Sequence, residues 1–187
     1  YTLLLGVNST YAMSRHLFPN RGYNDDTAFT GIGRIAVSPI FLCVNPRIGV
    51  RTIAELVAKA KEAPGRMSYA SSCAGSSAHL ATELFLRSAG IDIQNVTYRG
   101  GAPAVQALIT NVVQVAMVDA VTALPLMAAG QILAIGVSTP ERNPLAPTVP
   151  TIAESGFPGF EATSNFALLA PAGTPAPIVA RLAAAKD

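Results

Sequence analysis

The sequence predicts an α/β protein of two lobes built on mostly parallel sheets flanked by helices, and three observations lead there. A strand–turn–helix rhythm repeats five times along the chain, the pattern of strands joined by helical crossovers. Half of the 187 residues are hydrophobic and only 13% are charged, and the mean hydropathy is +0.39. Yet no window offers the ~20 uncharged apolar residues that a membrane span needs, so buried parallel strands account for the hydropathy. Finally, two extended stretches, residues 35–44 and 160–169, bracket the cleanest repeats. They read as two crossing hinge segments between lobes, with residues 1–41 and 159–187 forming a partial first lobe and 42–158 the second.

The elements follow in order. Residues 3–7 read as a strand, a polar turn at Asn8-Ser9-Thr10 follows, and 11–17 are helical. Residues 19–31 are polar and read as a loop. Residues 32–44 are long and rich in β-branched side chains, and Pro39 suggests a bend or an edge position rather than a central strand. Thr52 and Glu55 form a capping box. Behind it Ile53, Leu56, Val57 and Ala60 make one apolar stripe, with Glu55 and Lys59 paired at i,i+4. A short strand over 67–70 leads through a serine-rich loop into a helix over 78–89, whose inward face is read as Leu80, Ala81, Leu84, Phe85 and Ser88. The strand 96–98, the Gly100-Gly101 turn and a helix opening at Pro103 repeat the unit. Strands over 113–118 and 132–137 flank a helix from Thr122 to Ala129. Four prolines mark 139–150 as an extended loop, Thr151 and Glu154 form a second capping box on a short helix, and Thr174-Pro175 starts the final one.

Several functions are excluded at this level. Thirteen Lys and Arg oppose eleven Asp and Glu, for a net charge of +2. With no basic run, nucleic-acid or anionic-membrane binding has no electrostatic basis. Two histidines, His16 and His79, make no metal site without distant carboxylates, and Cys43 and Cys73 read as two free, buried thiols. The stretch from Gly31 to Ala36 matches G-x-G-x-x-A, but a polar loop precedes it and a strand-like run follows, so no helix N-terminus meets a pyrophosphate. Ser76 beside His79 imitates a hydrolase pair, but no acid is placed to orient the imidazole.

The chemical signal sits in the loop Ser71-Ser72-Cys73-Ala74-Gly75-Ser76-Ser77, between a buried strand and a helix start. Small residues let a ligand approach the backbone. The first N–H groups of a helix lack intrahelical partners and carry about half a positive charge. No Glu stands at position 79 or 80 to reach back, so the expectation is that these donors remain free for an anion. A plain serine cap is the alternative reading of the same residues.

The segments SYASSCAGSSAHLATELF, NVTYRGGAPAVQALI, VQVAMVDAVTALPLMAAGQILAIGVST, VPTIAESGFPGFE and LLAPAGTPAPIV occur in that order. The ordered set resembles the extracytoplasmic solute receptors of tripartite tricarboxylate transporters, the Bug proteins. That resemblance implies a type II periplasmic-binding-protein-like architecture, two lobes with a ligand cleft between them. It also implies a periplasmic receptor, monomeric at full length, that is not an enzyme and uses no cofactor. The implied ligand is a small carboxylate (a di- or tricarboxylate, an acidic amino acid or an aromatic acid), and the implied partner is a two-subunit membrane permease. By position, Ser72, Gly75, Ser76 and Ser77 are expected to hold the ligand, with Tyr98 and Asp119 flanking the cleft. Asn8 and Ser9 are expected to represent the first lobe's share, and Arg99 to sit at the rim. Two departures stand out. The chain opens at a tyrosine where relatives carry a preceding strand and glycine-rich loop, and it stops within a helical pattern, so it reads as a fragment cut at both ends. Ser164-Asn165 replaces the family's Ser-Trp, so an aromatic wall is missing. A second reading, the effector-sensing domain of a cytoplasmic transcription regulator, shares the two-lobe design.

Overall fold

The computed structural model describes residues 2–18, 20, 22–24 and 26–185. The chain folds into two compact units, Tyr1–Val37 with Ser164–Asp187, and Ser38–Thr163.

The second unit carries the larger core. Its sheet runs in the order β6 (Leu133–Val137), β2 (Phe29–Val44), β5 (Val115–Asp119), β3 (Ser68–Ser71) and β4 (Gln94–Thr97). Period-2 alternation sends neighbouring residues to opposite faces, and here both faces are covered. Ile40, Leu42 and Val44 of β2, Tyr69 of β3 and Val115 and Met117 of β5 pack on one side with α2 (Ile53–Glu62) and α3 (Ser77–Ala89). Phe41 and Cys43, with Ala116 and Val118, face the other side, against α4 (Gly101–Ile109) and α5 (Ala120–Ala128). That second face is alanine-rich, with Ala104, Ala107, Ala120 and Ala123 at the contacts. Small side chains let α4 and α5 approach the sheet closely.

The α/β class is as the sequence implies, but the sheet is mixed rather than mostly parallel. β3 lies parallel to β4 and β5, whereas β2 runs antiparallel to both β5 and β6. No helical crossover leads into β2; it arrives as one long strand from the other unit, so nothing forces it parallel. Nor does Pro39 place this strand at an edge. Pairing with β5 starts at Ile40 and with β6 at Phe41, so the missing N–H falls just before the ladder and residues 40–44 are central. Ser138, fully buried, gathers the chain where both long strands leave this unit. Its Oγ accepts the Ile40 N–H at 3.2 Å and donates to the Ala162 carbonyl, while its own N–H reaches Ile40 O at 2.9 Å.

Other local readings shift as well. The buried face of α3 is Ala81, Thr82, Phe85, Leu86 and Ala89, with Leu84 and Ser88 exposed. Thr82 can go inside because its hydroxyl is spent on the Ala78 carbonyl at 2.8 Å. Pro103 sits third in α4, still in the first turn, where its missing N–H leaves no bond unmade. Thr151 and Glu154 do make the reciprocal capping bonds, at 2.8 and 2.9 Å, but on a turn that never becomes a helix. The Thr151 N–H, then Arg142, hold the Glu154 carboxyl below its usual range. Glu55 takes the Arg51 N–H, and Lys59 reaches the Ile48 carbonyl. Cys43 is buried, which pushes its thiol far up, whereas Cys73 is exposed; both are free.

Gly136 marks the closest approach in this unit. A Cβ there would sit 2.7 Å from Ile53 Cδ1 and 3.0 Å from Ile152 Cγ1, both fully packed side chains. Gly136→Ala is expected to destabilise the protein by about 1–3 kcal/mol through overpacking. Urea unfolding would show it as a lowered midpoint, and an unchanged midpoint would contradict this packing.

In the first unit β1 (Leu4–Val7) pairs antiparallel with β7 (Thr163–Pro171), from Leu4 opposite Leu169 to Val7 opposite Phe166, and β7 neighbours β2. A π-helical turn, Ser9–Met13, and α1 (Ser14–Leu17) follow β1, and α6 (Ala176–Ala184) follows β7. Ile32, Leu169 and Ala170 are buried here, whereas Leu3, Leu4, Leu5, Leu17, Phe18, Tyr23, Ile35 and Val37 are exposed.

Candidate functional site

In the second unit, the C-terminal ends of β3 and β5 open onto a pocket of about 50 Å³. Ala70 and Ser72 line it from the end of β3, and Ala116 to Asp119 from β5. Ala78 of α3, Gly101 and Ala104 of α4 and Thr122 of α5 close it. Each of these helices follows a strand end, so their first turns converge on the one space. This is where ligands of α/β sheets bind, beyond the carboxyl ends of strands. The donors come from the backbone. Ala78 is the second residue of α3 and Gly101 the first of α4, positions whose N–H groups lack intrahelical partners. Hydroxyls of Ser72 and Thr122 complete the lining. Asp119, the N-cap residue of α5, brings the one carboxylate on the wall, and it makes no side-chain cap bond to that helix.

The loop before α3 is held by its own bonds. The Ser72 carbonyl accepts the Gly100 N–H at 2.7 Å, and the Ser71 carbonyl accepts that of Tyr98 at 2.8 Å. Gly100 has φ +114°, backbone that favours glycine, so the turn into α4 is pinned against the β3 end. Ser76 is the N-cap of α3, its Oγ accepting the His79 N–H at 3.2 Å. The His79 ring reaches back, Nδ1 accepting the Gly75 N–H at 3.1 Å. The side chain at position 79 does reach back, contrary to the expectation, but to the Gly75 N–H one residue before the N-cap; the Ser76 N–H, which the glutamate of a capping box would take, goes to the Cys73 carbonyl at 3.3 Å. The Gly75 N–H is spent, and the donors left to an anion lie further into the helix.

Of the residues singled out from the sequence, Ser72 and Asp119 line the pocket. Ser76 lies one hydroxyl away, 3.3 Å from Ser72 Oγ. Gly75 and Ser77 are buried in the loop and first turn, outside the lining. Tyr98 packs its ring against the second core face. Asn8 and Ser9 belong to the first unit, where Asn8 Oδ1 accepts the Asn165 N–H at 3.3 Å. Gly101, Ala104 and Thr122 were not foreseen. The signal was available, since each lies just past the point where a strand hands over to a helix.

The hydrolase imitation fails on geometry. Ser76 Oγ receives a backbone N–H, and the His79 ring nitrogens are directed to Gly75 and Asn95 rather than to that hydroxyl. The Gly31 to Ala36 match lies inside β2, with no strand-to-helix turn. Among the described residues there is no cluster of three His, Cys, Asp or Glu side chains able to hold a metal, and no helix long and apolar enough to cross a membrane.

The fold, with its small pocket at the strand ends, is that of an α/β solute-binding protein. The chain belongs to the tripartite tricarboxylate transporter family of receptors, whose model matches residues 1–187; these are substrate-binding proteins and not enzymes. It is 33% identical to the protein BugT of Bordetella pertussis over 97% of its length, and spans 56% of that relative. A Rhodopseudomonas palustris protein solved with adipate superposes with a TM-score of 0.93 at 37% identity, covering 97% of this chain and 61% of the other. MatC from the same organism, solved with bound malate, gives 0.89 at 31%, covering 99% and 63%. The chain thus spans little more than half the length of the curated relative.

Proposed function

We propose that this chain is the carboxylate-anchoring part of an extracytoplasmic solute receptor. The receptor holds a small di- or tricarboxylate in a cleft and delivers it to the membrane permease of a tripartite transporter. The observation that carries the reading is the convergence of the first turns of α3, α4 and α5 on one pocket of about 50 Å³. Three partial positive ends favour an anion there without any cationic side chain. The pocket is small, so only a head group of the ligand enters it. The body of the ligand therefore extends outward, which agrees with adipate and malate, the dicarboxylates with which the two Rhodopseudomonas palustris relatives were solved. Asp119 lines the same pocket and opposes any carboxylate in it, a repulsion that the three helix ends must outweigh, and it suits a hydroxyl, a water or an ammonium beside the anion. Membership of the transporter receptor family supports the periplasmic setting and the permease partner in this reading.

Calorimetric titration of the chain with adipate, malate and their dimethyl esters tests this. Both acids are expected to bind and both esters to fail, because esterification removes the charge that the helix ends recognise. Esters binding as well as the acids, or acids not binding at all, would overturn the reading.

A further inference from the structure

We propose that His79 is a positioning residue: its neutral imidazole, acting as a hydrogen-bond acceptor, sets the shape of the β3–α3 loop and through it the readiness of the pocket for an anion. The inference deepens the carboxylate reading and rests on it for its affinity arm.

The proton arrangement follows from the contacts. Gly75 is buried, and its N–H points at Nδ1 at 3.1 Å. A backbone N–H can only donate, so Nδ1 must carry the lone pair and Nε2 the proton. Nε2 lies 3.0 Å from the terminal amide of Asn95 on β4. With Nε2 protonated, the Asn95 amide presents its oxygen to the ring and its NH₂ to Ser71, because amide orientation is assigned from the network. The other end of that amide is 2.8 Å from Ser71 Oγ, which is 3.2 Å from Thr97 Oγ1. Every member then has a partner. The chain of bonds ties the end of β3 and the edge strand β4 to the loop that Ser72 opens.

Other groups bear on the ring. Tyr69 of β3 stacks on it, with centroids 6.3 Å apart and planes 23° apart. Glu83, one turn along α3, has a carboxylate oxygen 3.9 Å from Nε2 and also takes the Tyr69 phenol proton in a hydrogen bond. Cys73 and Ser76 flank it within the loop. Glu83 is the charged group at the ring. Protonation puts a hydrogen on Nδ1, opposite the Gly75 N–H. Two donors then face each other and the bond is lost. The loop is closed through Gly75, at φ +78°, and through Ser76. Releasing Gly75 therefore frees the Ser72–Ser76 contact at the pocket.

Two variants separate the acceptor from the ring's bulk. His79→Gln keeps an uncharged acceptor at this place; His79→Phe keeps a flat ring and no acceptor. In ¹⁵N spectra of the unsubstituted protein at neutral pH, Nδ1 of His79 is expected to be acceptor-type and Nε2 protonated, with a slowly exchanging Gly75 amide. The Gly75 amide should exchange faster in His79→Phe and stay protected in His79→Gln. Adipate and malate affinity should fall about tenfold in His79→Phe, the scale of one neutral hydrogen bond, and be restored in His79→Gln. An Nδ1-protonated tautomer, unchanged Gly75 exchange in His79→Phe, or no recovery of affinity in His79→Gln would each overturn the proposal. Should neither acid bind the unsubstituted protein, the carboxylate reading fails, and the tautomer and the Gly75 amide still decide the role of His79.

Discussion

Ser72→Asp is expected to abolish the binding of adipate and malate, raising Kd by a hundredfold or more. Ser72 lines the pocket at the end of β3, across from Asp119. A carboxylate there enters the space that the anion needs and faces the three helix ends itself. It also adds like-charge repulsion; two unit charges ~4 Å apart near a protein surface interact by about 4 kcal/mol at an effective dielectric of 20. Ser72→Ala, which only removes a donor, is expected to cost roughly ten- to a hundredfold, the worth of a hydrogen bond to a charged group. Calorimetry on both variants, with thermal unfolding to verify the fold, checks the pair. Ser72→Asp binding either acid as well as the unsubstituted protein would place the anion elsewhere.

Asn45→Leu is expected to be the most damaging single change to stability away from the pocket. Asn45 is 1% exposed. Its Nδ2 donates to the carbonyls of Leu108 and Ile109 at 2.7 and 3.0 Å, and its Oδ1 accepts the Arg47 N–H at 2.8 Å. It closes the last turn of α4 and caps the short 3₁₀ turn Pro46–Ile48 with one side chain. Leucine fills similar space but leaves the Ile109 carbonyl and the Arg47 N–H without this partner, while the Leu108 carbonyl keeps the Asn111 N–H at 3.1 Å. Each buried group left unpaired costs about 1–3 kcal/mol. Allowing for partial access to water, the loss is about 3 kcal/mol, near 10 °C in Tm for a chain of this size. Urea and thermal unfolding would measure it, and a loss under about 0.5 kcal/mol would contradict the assignment.

What could be read from the sequence was mostly local. The alternation of strands and helices was legible because side-chain period changes from 2 to 3.6 between them. The reciprocal bonds of Thr151 and Glu154 were legible because they span four residues, whereas of the first box only the Thr52 cap formed as read, Glu55 taking the Arg51 N–H instead of that of Thr52. The direction of β2 was not, since pairing with β5 joins residues far apart in sequence and no local pattern encodes its sense. The face of α3 was misjudged because Leu84 and Leu86 offer two overlapping apolar stripes, and only the tertiary partners, Phe157 and Phe160 against Phe85, choose between them. The site divides in the same way. The serine loop announced itself by composition. Gly101 and Thr122 did not, because small residues at helix starts look like ordinary caps until three such starts meet. His79 entered the sequence reading as half of a discarded hydrolase pair; its bond to the Gly75 N–H depends on how the loop folds back over the helix start, which no local pattern encodes.

The central claim is that the converging first turns of α3, α4 and α5 hold the carboxylate. Titrating ¹⁵N-labelled protein with adipate and following backbone amide shifts tests it most directly. The largest shifts are predicted at Ala78, Gly101 and Thr122, with methyl adipate, which keeps one free carboxylate, perturbing the same three. Shifts gathered instead along the groove lined by Leu84, Phe157 and Phe160, or none at the three helix starts at saturation, would contradict it.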